Sequence, residues 1–295
     1  METKFRGTGV ALATPYNKDG SVDHIALDRL VKHTVNGGVN YLVVMGTTAE
    51  SPTLSMTEKA KVLDTVLSSN AGNLPVVYGA GANDTAELCE YFKDSLFSKV
   101  DAILSVTPYY NRPSQKGLQA HFENVADESP VPVILYNVPS RTAVNLEAGT
   151  TLALAHHENI IGVKEASGDI NQCNQIMTGK PEDFLMISGD DMITLPLLSI
   201  GAVGVISVMA NAFPKQFSSM VNRAYAGDWD KARALHLSLV EIGAILSEEG
   251  NPAGLKCVLE LLGLCGGNLR LPLYPISEEL KARATKAVAE LNKKG

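Results

Sequence analysis

With 295 residues, 45% of them hydrophobic and 19% charged, the chain can bury a large core and is too apolar to remain disordered. Twenty-five glycines beside 6% aromatic residues suit a compact enzyme and exclude a fibrous repeat. A formal net charge of -7 gives no general attraction to nucleic acid or acidic membranes, yet leaves room for a locally positive pocket that takes an anionic substrate.

The start, METKFRGTGVALATPYNKDG, lacks an apolar stretch of signal-peptide length and is not rich in Arg and Ser, so a cytoplasmic location is expected. Short apolar, β-rich runs then recur at residues 9–13 (GVALA), 41–45 (YLVVM), 75–78 (PVVY) and 102–106 (AILSV). The series continues at 131–136 (VPVILY), 160–163 (IIGV), 184–187 (FLMI) and 203–208 (VGVISV). Between neighbours lies enough chain for a helix and two loops. Residues 23–36 and 57–69 show the helical spacing, as with Ile25, Leu27, Leu30, Val31 and Val35. Continuous apolar strands are buried on both faces, and strict alternation with helices implies parallel pairing through right-handed crossovers. Eight such units predict a (β/α)8 TIM barrel. A doubly wound open sheet is the alternative, though no Gly-rich dinucleotide fingerprint follows the first run.

Residues 192–213 carry no charge and are long enough to span a membrane. Pro196, Gly201 and Gly204 interrupt them, so a buried helix, a turn and a core strand explain them better. Residues 214–226 supply the last barrel helix. Beyond it, 229–246, 253–262 and 278–291 read as helices, with Asp228 and Ser277 as N-caps and breaks at Gly263, Gly266, Gly267 and Pro272. The expected organisation is a catalytic barrel over residues 1–226 and a C-terminal helical appendage over 227–295, packed on the barrel with no linker.

In such a barrel the loops at the C-terminal ends of the strands build the active site. The second run is followed by GTTAES (46–51), the fourth by TPYYNR (107–112), the fifth by NVPSRT (137–142), the sixth by KEASGD (164–169), and the seventh ends in SGDD (188–191). Lys164 is the most informative residue. Its stem follows an apolar run, and burying an ammonium costs several kcal/mol unless it is paired or neutral. A neutral amine attacks carbonyls; the competing reading is a structural ion pair with Glu165 or another carboxylate. Tyr136 comes one strand earlier at the same level. With Tyr110 and Thr47 it would give a relay of hydroxyls for imine chemistry; ordinary barrel packing is the alternative for each tyrosine. Thr47 and Thr48 follow a glycine and precede a helix, which suits either a bound carboxylate or a plain turn. Arg141 suits a second carboxylate or a surface ion pair.

The six histidines, His24, His33, His121, His156, His157 and His236, show no ligand spacing on one helix face, so no metal is implied. Cys89, Cys173, Cys257 and Cys265 form no C-x-x-C pair and read as thiols of a reducing compartment.

These residues, together with GTGVALATP, VTPYYNRPSQ, LYNVPSRT, GVKEASGD, GVISVMAN, NPAGLKC and RLPLYPIS, make the chain resemble the dihydrodipicolinate synthase family of pyruvate-dependent aldolases, which includes N-acetylneuraminate lyase. The resemblance runs over essentially the whole chain. It implies that Lys164 forms an imine with pyruvate, with no cofactor and no metal. It implies a relay of Tyr136, Thr47 and Tyr110, with Tyr110 reaching in from a neighbouring subunit. Thr48 would help hold the pyruvate carboxylate and Arg141 that of L-aspartate 4-semialdehyde, while Gly189, Asp190 and Ile206 line the pocket. The enamine then attacks the aldehyde, the amine closes the ring, and Lys164 is released. The family is usually a homotetramer built as a dimer of dimers.

Two positions depart from the family pattern. Ala49 stands where Gly is common. Ser51, Asn83, Glu87 and Tyr109 match a lysine feedback site, but Met56 and Lys59 stand where some lysine-sensitive members carry histidines, which implies weaker feedback. The alternatives are another pyruvate lyase acting on a sugar acid or a hydroxyproline-derived acid, against which Arg141 counts, and a phosphate-binding or catalytically silent barrel, which would trap no pyruvate.

Overall fold

A computed structural model describes residues 4–72 and 74–294. The first three residues of the N-terminal stretch, on which the expected location partly rests, lie outside the described residues. The chain begins with β1 (Gly7–Ala11), α1 (His24–Asn36), β2 (Tyr41–Val44), α2 (Met56–Ser69), β3 (Val76–Gly79) and α3 (Thr85–Tyr91). It continues with β4 (Ala102–Val106), α4 (Gln115–Glu128), β5 (Val133–Asn137), a short α5 (Pro139–Thr142), α6 (Ala148–Leu154) and β6 (Ile160–Glu165). Then come α7 (Ile170–Gly179), β7 (Leu185–Ser188), α8 (Thr194–Ser199) and β8 (Gly204–Ser207). The last helices are α9 (Pro214–Tyr225), α10 (Trp229–Glu248), α11 (Ala253–Leu261) and α12 (Glu278–Lys294).

The eight strands form one closed parallel barrel in chain order, as the eight apolar runs imply. Each strand end lies within two residues of its expected position. The largest extension at a C-terminal end is at β6, where the ladder runs past the apolar IIGV to take in Lys164 and Glu165, because Tyr136 and Asn137 continue β5 alongside them. Helix starts follow cap chemistry. Ser55 and Glu58 close a capping box at α2, Asp228 accepts from the Lys231 amide at α10, and Ser277 Oγ accepts from the Leu280 amide at α12. The uncharged stretch around residues 192–213 resolves into α8, β8 and a 3-10 turn at Met209–Asn211. No helix among the described residues is long and apolar enough to cross a membrane.

The chain divides into two compact units: Met1–Arg6 with Pro75–Ile206, and Gly7–Leu74 with Ser207–Gly295. In the first, Val133, Ile134, Leu135, Val163, Met186 and Ile187 are wholly buried, as strands covered on both faces must be. One row of paired Cα positions runs Val106–Tyr136–Lys164–Ile187–Gly204 across β4 to β8. In the second unit, α11 packs closely on α10. A Cβ on Gly254 would lie 2.5 Å from the Ile245 carbonyl, so only glycine permits that approach.

Candidate active site

In the first unit, register fixes the central pair. Tyr136 and Lys164 are Cα partners on β5 and β6, so their side chains leave the same face at the same level. Both are buried, at 7% and 5% exposure, and the Lys164 Nζ lies 4.3 Å from the centroid of the Tyr136 ring. The next residue on each strand faces the other way. Glu165, fully buried, accepts from Asn137 Nδ2 (3.0 Å), Gln172 Nε2 (3.0 Å) and the Ser167 amide (2.7 Å). Asn137 in turn accepts from the Leu146 amide at 2.9 Å, and Asn145 donates to Gln172 Oε1 at 2.8 Å. Glu165 thus accepts from amide donors, and the Lys164 amine lies over the tyrosine ring.

The loops around this pair carry the other candidates of the unit. The Thr107 amide donates to the Tyr136 carbonyl at 3.1 Å, where the loop after β4 departs. Tyr109 and Tyr110 are exposed on that loop, Tyr110 at 85% and with a left-handed φ of 75°. Arg112 Nε donates to the Ala143 carbonyl at 2.9 Å and so ties this loop to the one bearing Arg141, which is itself exposed on α5. After β7, the Gly189 amide donates to the Glu165 carbonyl at 2.7 Å, and a Cβ on Gly189 would come 2.6 Å from that of Ala166. Asp190 shapes the next turn: its Oδ1 accepts from the Met192 amide, and its carbonyl accepts from Ser188 and Thr194. Ile206 is buried on β8. Asn83 and Glu87 are exposed at the start of α3. The structure therefore brings Tyr136 and Lys164 together and sets Gly189 against the backbone just after them, at Glu165 and Ala166, whereas Tyr110 and Arg141 are exposed.

In the second unit, Thr47, Thr48 and Ala49 form a 3-10 turn directly after β2, followed by Glu50 in left-handed conformation (φ 56°) and a second 3-10 turn at Ser51–Thr53, in which Ser51 is half-buried. Asn251 Nδ2 donates to Thr48 Oγ1 at 3.0 Å. Glu50 forms an ion pair with Lys256, both side chains fully buried, and its Oε2 accepts from the Arg270 amide at 3.1 Å. Lys256 Nζ also donates to the Asn268 carbonyl at 2.8 Å and sits 4.0 Å from the Tyr16 ring centroid. Burial pulls the Lys256 ammonium below the usual lysine range, with Glu50 pushing back, and lifts Tyr16 to about 12. Arg270 pairs with Glu58 and holds that carboxyl at about 2. None of Glu50, Asn251, Lys256 and Arg270 stood out in the sequence. The available signal was one lysine inside the otherwise apolar start of α11, AGLKCVL.

Among the described residues, no group of three or more His, Cys, Asp or Glu side chains is placed to hold a metal ion. Cys89 is half-buried, and the other three cysteines are buried free thiols.

A lysine buried on a (β/α)8 barrel strand, with its amine over a tyrosine ring, fits a class I, Schiff-base lyase. Residues 4–291 match the Dihydrodipicolinate synthetase family, and the chain belongs to that family. The 4-hydroxy-tetrahydrodipicolinate synthase of Flavobacterium psychrophilum is 50% identical over 290 residues, spanning 98% of this chain and 99% of its own. The dihydrodipicolinate synthase structure from Thermotoga maritima superposes with a TM-score of 0.95 at 36% identity, over 98% of this chain and 99% of that one. The enzyme from Cyanidioschyzon merolae, solved with lysine bound, gives 0.93 at 35% identity over 99% of both chains.

Proposed function

We propose that this chain condenses pyruvate with L-aspartate 4-semialdehyde to give 4-hydroxy-tetrahydrodipicolinate, a step of lysine and diaminopimelate biosynthesis. The observation that carries the reading is the buried Lys164 amine against the Tyr136 ring. Family membership and the 50% identical synthase support it. The Lys164 amine adds to the ketone carbon of pyruvate, and water leaves to give the imine. Loss of a methyl proton gives the enamine, whose carbon attacks the aldehyde. The substrate's own amine then adds to the imine carbon, closes the ring and releases Lys164. Each addition and elimination moves a proton, which is the task assigned to the hydroxyls of Tyr136, Thr47 and Tyr110.

Thr48 holds the pyruvate carboxylate and Arg141 that of the aldehyde substrate, while Gly189, Asp190 and Ile206 line the pocket. The imine itself activates the carbonyl, so no cofactor or metal takes part. Tyr110, exposed on a strained loop, suits a residue completed by a second copy in a homotetramer. Lysine, where it inhibits, is expected to act through Ser51, Asn83, Glu87 and Tyr109; the relative from Cyanidioschyzon merolae was solved with lysine bound. The enzyme works in the cytoplasm.

Trapping decides the central point. Incubation with pyruvate and borohydride is expected to leave a reduced pyruvyl adduct on Lys164, found by peptide mass spectrometry and lost in Lys164→Ala. An adduct on another lysine, or none, would overturn the reading.

A further inference from the structure

We infer that residues 251–256, at the start of α11, act as a two-point clamp that sets the Thr47–Thr48 turn for pyruvate, with Asn251 and Lys256 as positioning residues; the inference rests on the function proposed above.

One grip is on the Thr48 hydroxyl. Asn251 Nδ2 donates to Thr48 Oγ1 at 3.0 Å. A hydroxyl has one proton and two lone pairs, so a donor placed on a lone pair leaves the proton to be given elsewhere. A carboxylate accepts only, so a Thr48 hydroxyl fixed as a donor is matched to it and mismatched to a ligand donor.

The other grip is on Glu50. Its backbone is left-handed at φ 56° and ψ 34°, a conformation disfavoured for a non-glycine residue that persists only where the surroundings hold it. Here the Glu50 carbonyl accepts from the Thr53 amide (3.0 Å) and hydroxyl (2.9 Å), and its carboxylate is held by Lys256 and the Arg270 amide. The Glu50 amide itself closes the turn by donating to the Thr47 carbonyl at 3.1 Å. Lys256 is fixed from its far side by the Asn268 carbonyl and the Tyr16 ring. A fully buried ion pair adds little net stability compared with apolar replacements, but it fixes geometry, because either charge left alone is strongly disfavoured. The helix supplying it is seated on α10 at Gly254. The C-terminal helices thereby enter substrate recognition, not packing alone.

The test measures KM for each substrate in the full-length enzyme. Three variants are compared: Asn251→Ala, Asn251→Asp, and the double replacement Glu50→Gln with Lys256→Met, which removes both buried charges together and spares the fold an unpaired one. Asn251→Ala and the double variant are expected to raise KM for pyruvate about tenfold, the factor for roughly one lost hydrogen bond. KM for the aldehyde substrate stays unchanged, and borohydride at saturating pyruvate still labels Lys164. Asn251→Asp raises it further, because a carboxylate in place of the amide captures the Thr48 proton. Leu239→Ala, a packing change in α10, lowers Tm and leaves both KM values in place. Wild-type KM for pyruvate in the folded Asn251 variants, with Lys164 still labelled, would overturn the clamp alone. Failure of the unmodified chain to trap pyruvate on Lys164 would overturn the functional reading and the clamp with it.

Discussion

Asn137 and Glu165 are Cα partners one position beyond Tyr136 and Lys164, and their side chains bond at 3.0 Å on the face opposite that pair. Strands β5 and β6 are thus fastened together from behind. Glu165→Ala leaves the Ser167 N–H without its acceptor and takes one acceptor each from the Asn137 and Gln172 amides, which keep Asn145 and Leu146. Unpaired buried donors cost about 1–3 kcal/mol each. The urea midpoint is expected to fall by the equivalent of at least ~2 kcal/mol, with the borohydride-trapping rate falling as well. An unchanged midpoint would show the network to be dispensable.

Arg141 is proposed to bind the carboxylate of the aldehyde substrate. Arg141→Ala is then expected to raise KM for L-aspartate 4-semialdehyde far more than KM for pyruvate. The loss of a charge-assisted bidentate contact corresponds to about 2–4 kcal/mol. Steady-state kinetics with each substrate varied in turn reads the split. Equal effects on both would assign Arg141 to structure.

His121 gives a stability signature in acid. It is buried on α4 with Thr85 on its Nδ1, and burial lowers its pKa from 6.5 to about 4. The folded state therefore keeps the ring neutral while the unfolded chain takes up a proton below about pH 6.5. Its contribution is fully present above 6.5 and is lost as pH falls from there to about 4, by on the order of 3 kcal/mol. Urea unfolding at a series of pH values across that window is expected to show the decline, and His121→Phe to flatten it.

Lysine is expected to inhibit more weakly than in relatives with histidines on α2. Met56 is exposed and Lys59 half-buried on that helix. If Lys59 faces the bound lysine, a second ammonium a few ångströms from the ligand's own repels it by about 1 kcal/mol in water, and about 1.4 kcal/mol is a tenfold loss of affinity. Titrating activity with lysine, for the native enzyme and for Lys59→His, measures the difference. Strong native inhibition that Lys59→His leaves unchanged would refute the repulsion.

The barrel was readable because strands buried on both faces must be written as apolar runs, such as AILSV and VILY. Lys164 was readable for the same reason, as a charge attached to such a run. What the sequence hid was partnership. Glu165 adjoins Lys164 along the chain yet turns to Asn137 and Gln172, because neighbours on a strand face opposite ways. Glu50 and Lys256 lie far apart along the chain, and neither GTTAES nor NPAGLKC says which charge meets which. Strand ends blurred where polar residues extend the ladder, as at β6.

The level row Val106–Tyr136–Lys164–Ile187–Gly204 has a consequence for how such enzymes diversify. The proposed nucleophile, Lys164, is set by the backbone ladder, whereas Tyr110 and Arg141 stand on segments joined through Arg112. Evolution, or a protein engineer, can therefore rewrite those loops to welcome a different electrophile while inheriting the amine unchanged.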